Sequence, residues 1–160
     1  MPFTPFHLGP GALFKAALGK RFSFLVFAGS QVLIDLEPGV RMVVGTDVLH
    51  GPTHSVAGAL VIGAVAALIG RPISNLVLRL AAPDAQPVTW VASAVGAFVG
   101  TLSHVALDAV MHRDMLPLWP LSPATALLGA ISVDALHDLC LLSGVVGAIG
   151  VSVRMLLSRR

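Results

Sequence analysis

The chain has 160 residues, of which 56% are hydrophobic and only 11% charged, with a mean hydropathy of +0.88. A soluble domain of this size carries roughly a quarter of its residues as charges, so most of this exterior must face lipid. The formal charge of +2 rests on ten scattered Lys and Arg with no basic stripe among aromatics, which sets nucleic acid aside, and the single cysteine, Cys140, excludes a disulfide framework and reads as a small buried hydrophobe.

The chain opens on Pro2 and Pro5 with no positive leader ahead of an apolar run, so the start reads as mature protein and not as a cleaved signal peptide. Residues 7–36 follow as a helical hairpin, two short apolar runs that turn at Gly19, Lys20 and Arg21. Residues 37–52 read as a polar loop. Residues 53–70 form a nearly uninterrupted apolar run, long enough at about 1.5 Å per residue to approach the thickness of a bilayer, and Gly70, Arg71 and Pro72 close it. The stretch 73–80 then reads as interfacial, with Ser74, Asn75 and Arg79 set at helical spacing among Leu and Val.

A second spanning segment covers residues 88–110, where Gly96 and Gly100 make a small-xxx-small face for a neighbouring helix. Three prolines make residues 111–123 a structured loop. Residues 124–157 form the last run, too long for one perpendicular span and so either a tilted helix or a short helix ahead of a spanning one. The fold expected is all-α: a polytopic membrane bundle of four to five hydrophobic helical segments, one membrane-embedded domain over residues 1–160.

Orientation follows from the basic residues. Lys15, Lys20, Arg21, Arg71, Arg79, Arg154, Arg159 and Arg160 collect on one side of this map, leaving Arg41 and Arg113 on the other. The positive-inside rule makes the crowded side, with the C-terminus, cytoplasmic.

The histidines and acids gather at the opposite, outer end. His7 opens the first helix, Asp35 and Glu37 close the second, His50 and His54 open the third, and His104, Asp108 and His112 close the fourth. His104 and Asp108, four apart, share one helix face and could share a metal ion. Asp134 and Asp138 repeat the spacing with His137 between them, and read as further ligands, a network behind the site or a polar helix contact. Thr53 and Ser55 read as hydrogen-bond partners of the ligands or as a helix cap, with the cap favoured for Thr53. His112, Arg113 and Asp114 read as a solvated turn, with a substrate-facing loop as the alternative. Mixed imidazole and carboxylate donors suit zinc first, then manganese or iron.

The acidic pair of Ile34, Asp35, Leu36 and Glu37, the block Gly51 to Ser55 (GPTHS), and the block Ser103 to Asp108 (SHVALD) followed by the Pro-rich loop resemble the YdjM-like family of bacterial inner-membrane, metal-dependent hydrolases over nearly the whole chain. The chain departs from the family pattern with Glu37 at its second acidic position and His50 where an Arg commonly stands. The resemblance implies an inner-membrane, multi-pass hydrolase with a His/Asp metal site. The set expected to hold metal is His7, Asp35, His54, His104 and Asp108, with Glu37 and His112 as catalytic residues and Glu37 accepting the proton of a metal-activated water. No G-x-S-x-G, P-loop or dinucleotide fingerprint competes with that reading. A phosphoester or lipid-linked substrate at the outer interface suits the location. The alternatives are a transporter or ion/proton conduit using the same cluster, disfavoured because the polar residues do not line a full path, and a non-enzymatic membrane scaffold.

Overall fold

The computed structural model describes residues 5–157; Arg159 and Arg160, counted above for orientation, lie outside them. The described residues form an all-α bundle with no strand among them: α1 Leu8–Leu18, α2 Phe24–Ile34, α3 Leu36–Val44, α4 Val56–Ala81, α5 Trp90–Met111 and α6 Val133–Leu157. Three of these, α4, α5 and α6, are long and apolar enough to cross a membrane. Their outward faces carry exposed Val61, Leu68, Leu80, Val91, Leu142 and Ile149, the surface that lipid requires.

Small side chains set the packing. Gly96 and Gly100 on α5 lie against α2, where a Cβ at Gly96 would meet the Ser23 carbonyl and one at Gly100 the Ser30 hydroxyl, as the small-residue face predicts. α1 runs along α6 with backbone against backbone: a Cβ at Gly9 would fall on the Cys140 carbonyl, and one at Gly147 on the Ala12–Leu13 peptide. Cations close the far end of α1. Lys15 Nζ donates to Gly19 O at 3.0 Å and Phe22 O at 2.9 Å, while an Arg154 guanidinium nitrogen reaches Ala16 O at 3.0 Å. Of these, Ala16 O is among the carbonyls that the C-terminus of α1 leaves without an intrahelical partner.

Four boundaries differ from the sequence reading. The expected loop 37–52 contains α3, which carries Pro38 in its first turn, where no N–H is needed, joins Glu37 to Arg41 one turn on, and stops at Gly45 with φ 78°. The helix expected to end near residue 70 runs through Pro72 to Ala81 as one element, so residues 73–80 are not a separate interfacial segment. Its lower half is strapped to the start of α5: Asn75 Oδ1 accepts from Val88 N at 2.7 Å, Arg71 Nε donates to Val88 O at 3.1 Å, and the Arg71 guanidinium lies 4.5 Å from the centre of the Trp90 ring. α6 begins only at Val133, capped by Ser132 Oγ accepting from Ala135 N at 3.2 Å, and residues 124–132 contain no helix, only a turn at 126–129 among irregular backbone. The helix cap assigned to Thr53 belongs to Ser55, whose Oγ accepts from Gly58 N at 3.0 Å.

Candidate metal centre

Four elements deliver the cluster to one end of the bundle. Asp35 sits between α2 and α3, His54 ends the 3-10 turn Pro52–His54, His104 and Asp108 stand one turn apart on α5, and His7 ends the 3-10 turn that leads into α1. All five are buried. His104 Nε2 lies 3.1 Å from Asp35 Oδ1 and 3.2 Å from Asp108 Oδ2. His54 Nε2 lies 3.5 Å and 3.7 Å from the same two oxygens. His7 Nε2 approaches the other oxygen, Asp108 Oδ1, at 3.3 Å. Ile34, Ala59, Val105, Ala109 and Met115 form a buried apolar cluster in the same bundle.

The backs of the His104 and His54 rings are already committed, while His7 Nδ1 has no hydrogen-bond partner. Gln31 Nε2 donates to Gly100 O at 3.2 Å, which turns the amide oxygen toward His104 Nδ1 at 2.6 Å, so that Nδ1 must be the donor there. Thr53 Oγ1 gives its proton to Glu37 Oε2 at 2.5 Å and can only accept from His54 Nδ1 at 3.1 Å. Arg41 holds the opposite Glu37 oxygen at 2.8 Å. Burial alone would raise Glu37, but the Thr53 hydroxyl and N–H together with Arg41 outweigh it and hold the carboxyl below its ordinary range.

With the proton of a neutral ring fixed on Nδ1, the Nε2 atoms of His54 and His104 turn bare lone pairs toward carboxylate oxygens. No hydrogen bond satisfies those two nitrogens, Asp35 Oδ1, Asp108 Oδ1 or His7 Nε2. Uncompensated buried charge costs several kcal/mol, and a cation between the groups removes that cost. One ligand atom from each of Asp35, His54, His104 and Asp108 lies within 4.8 Å of the others, so the group could hold a metal ion. Rings fixed from behind through their second nitrogen are the usual companion of histidine ligation.

Around this core stand two further histidines. His50 is buried, its ring 4.9 Å from that of His54 and 4.2 Å from that of His112. Its Nδ1 donates to Asp114 Oδ1 at 2.9 Å, and the backbone N–H groups of Leu49 and His50 donate to Oδ2 at 3.0 Å and 3.1 Å. Burial raises Asp114, yet these bonds bring its carboxyl down to about 2. His112 caps α5, half-buried, with its own affinity for protons lowered chiefly by burial.

The structure departs from several sequence expectations at this site. Glu37, expected to accept a proton from bound water, has both oxygens taken by Thr53 and Arg41 and lies behind His54. Asp134 and Asp138 point outward from α6, and His137 stacks on Phe6 with ring centres 4.2 Å apart, so this trio is not brought into the cluster. Asp114 sits in the expected turn but is not simply solvated, since it ties the 111–123 loop to His50. Two contributors went unread: Asp114 in this role, and Gln31, whose one signal was an amide in an otherwise apolar run.

A family model described as the YdjM inner membrane protein matches residues 8–158. No curated protein and no solved structure matches the chain.

Proposed function

The chain belongs to the YdjM inner membrane protein family, and from that premise we propose that it is a membrane-embedded, metal-dependent hydrolase holding a divalent ion, zinc first, on Asp35, His54, His104 and Asp108. The observation that carries the proposal is the pair of Nε2 atoms, on His54 and His104, that face two buried carboxylates without a hydrogen bond, an arrangement that a cation between them would satisfy. A divalent ion held there supplies Lewis acidity, polarising an ester oxygen and acidifying water.

The protein's own groups do the rest. Asp35 and Asp108 neutralise the ion's charge, Gln31 and Thr53 keep the two rings in the binding tautomer, and Glu37 with Arg41 fixes Thr53. His7 flanks the free side of Asp108. Of the two residues read as catalytic, His112 is the one whose ring reaches the cluster from the exposed side. A phosphoester or lipid-linked substrate suits a site at the end of an apolar bundle, where a headgroup would arrive with its chains in lipid.

The test is metal content of the purified protein beside a His104→Ala, Asp108→Ala variant. About one ion per chain in the parent and none in the variant is expected. A metal-free parent overturns the reading and leaves the cluster as imidazolium–carboxylate pairs in a scaffold or proton path. We also place the C-terminus in the cytoplasm and the cluster at the outer face, because Lys15, Lys20, Arg21 and Arg154 gather at the end away from the cluster. A reporter fused after Arg160 should read cytoplasmic; a periplasmic signal reverses the orientation.

A further inference from the structure

Resting on that one-ion reading, we propose a second divalent-cation site beside the first, built on His50, His112 and the remaining oxygen of Asp108, with Asp108 as the carboxylate shared by both ions.

Asp108 divides its oxygens between two sets of nitrogens. Oδ2 faces His104 at 3.2 Å and His54 at 3.7 Å. Oδ1 faces the other way, 3.3 Å from His7 Nε2 and 3.9 Å from His112 Nε2, and has no hydrogen bond although it is buried. A carboxylate that served one ion alone would leave this second oxygen unsatisfied in the protein interior. Ligand atoms of His50, Asp108 and His112 fall within 4.8 Å of one another, a group separate from the first except for Asp108 itself.

His50 is prepared in the same way as His54 and His104. Asp114 accepts hydrogen bonds from its Nδ1–H and from its backbone N–H, so the ring is fixed in orientation with Nε2 left as the ligand atom. Nothing in a solvated turn calls for a buried imidazole held from two sides. In this site His112 is a metal ligand, in place of the catalytic role expected of it from the sequence. Its side chain is 23% exposed where those of His54 and His104 are 0% and 1%, so the second site is the open one. Three protein ligands and an open side give weaker, exchangeable binding with room for a substrate oxygen. Two ions on one carboxylate suit the phosphoester class, whose attacking and departing oxygens both carry charge.

The experiment is a zinc titration of the full chain in detergent, followed by metal analysis. Two ions per chain are expected, bound in a tight and a weaker phase, and a His50→Ala, His112→Ala variant should keep the tight phase alone. One ion per chain in the parent, or two in the variant, overturns the second site and leaves the first standing. No ion in the parent overturns the first reading itself. Should the double variant not fold, Asp114→Asn decides, because it keeps every ligand: its weaker phase should shift by about tenfold or more with the tight phase fixed, and an unshifted titration overturns the proposal. Loading with manganese separates bridging from mere proximity, since ions sharing Asp108 give an exchange-coupled magnetic resonance spectrum and two uncoupled signals refute the shared carboxylate.

Discussion

Gln31 and His104 meet across the α2–α5 interface with Oε1 2.6 Å from Nδ1, both buried. The contact costs the fold an amide in an apolar helix, and in return it orients an imidazole whose Nε2 faces Asp35 and Asp108. Gln31→Leu should leave the helices formed and weaken metal binding by about 10- to 100-fold, whereas Gln31→Glu, which keeps the acceptor, should hold affinity near the parent's. Competition with a chromophoric chelator measures both. Equal affinity in parent and Gln31→Leu would refute a positioning role.

Thr53 does for His54 what Gln31 does for His104, through a longer chain that ends at Arg41. Thr53→Val removes the hydroxyl at nearly constant volume and should lower affinity by about tenfold or more, with Thr53→Ser restoring it. Gly51→Ala approaches the same link from behind, because its Cβ would fall on the Glu37 carboxylate. It should reproduce the Thr53→Val loss although Gly51 has no side chain to bind anything, and normal affinity in Gly51→Ala would mean that Glu37 does not hold Thr53 in place.

What the sequence could reveal here was local spacing. His104 with Asp108, and Gly96 with Gly100, declare a shared face four residues apart, and both pairs point inward to partners. Asp134 and Asp138 have the same spacing and face outward, because a period says which residues share a face and not where that face looks. Several of the missed features depend on distant partners. Asp114 finds His50 across 64 residues and Gln31 finds His104 across 73. Helix α4 passes Pro72 with its lower half fastened to Val88 by Arg71 and Asn75, which no window around residue 72 contains. Burial of the His/Asp set was legible in kind, since acids at the ends of apolar runs need partners.

Two glycines should respond to substitution with opposite signs. Gly147 lies on the α1–α6 contact, where a Cβ would meet the backbone of Ala12 and Leu13 and no side chain is free to yield. Gly147→Val should destabilise by about 1–3 kcal/mol or more and loosen the helix that follows His7. Gly29 lies exposed within α2, where an added Cβ would have nothing within 4 Å, so Gly29→Ala should stabilise by about 0.4–1 kcal/mol through the unfolded chain. Denaturation midpoints in one detergent compare them directly. A neutral Gly147→Val would mean that α1 and α6 do not pack this closely.

Acid should separate the metal centre from its support. The Asp114 carboxyl stands at about 2, below its ordinary 3.8, so the stability it contributes is full above that ordinary value and disappears as pH falls through about 2. Asp114→Asn should therefore melt below the parent at neutral pH, and the gap should close only under about pH 4. Histidine ligands bind metal only when neutral, so the ions should leave well above that range, while Asp114 still holds His50. Metal release and melting midpoint, followed on the same acid titration, should then fall at two distinct pH values. If the metal instead stayed bound until the Asp114 contribution was lost, carboxylates alone would be holding it, and the imidazoles of His54 and His104 would have no part in the site.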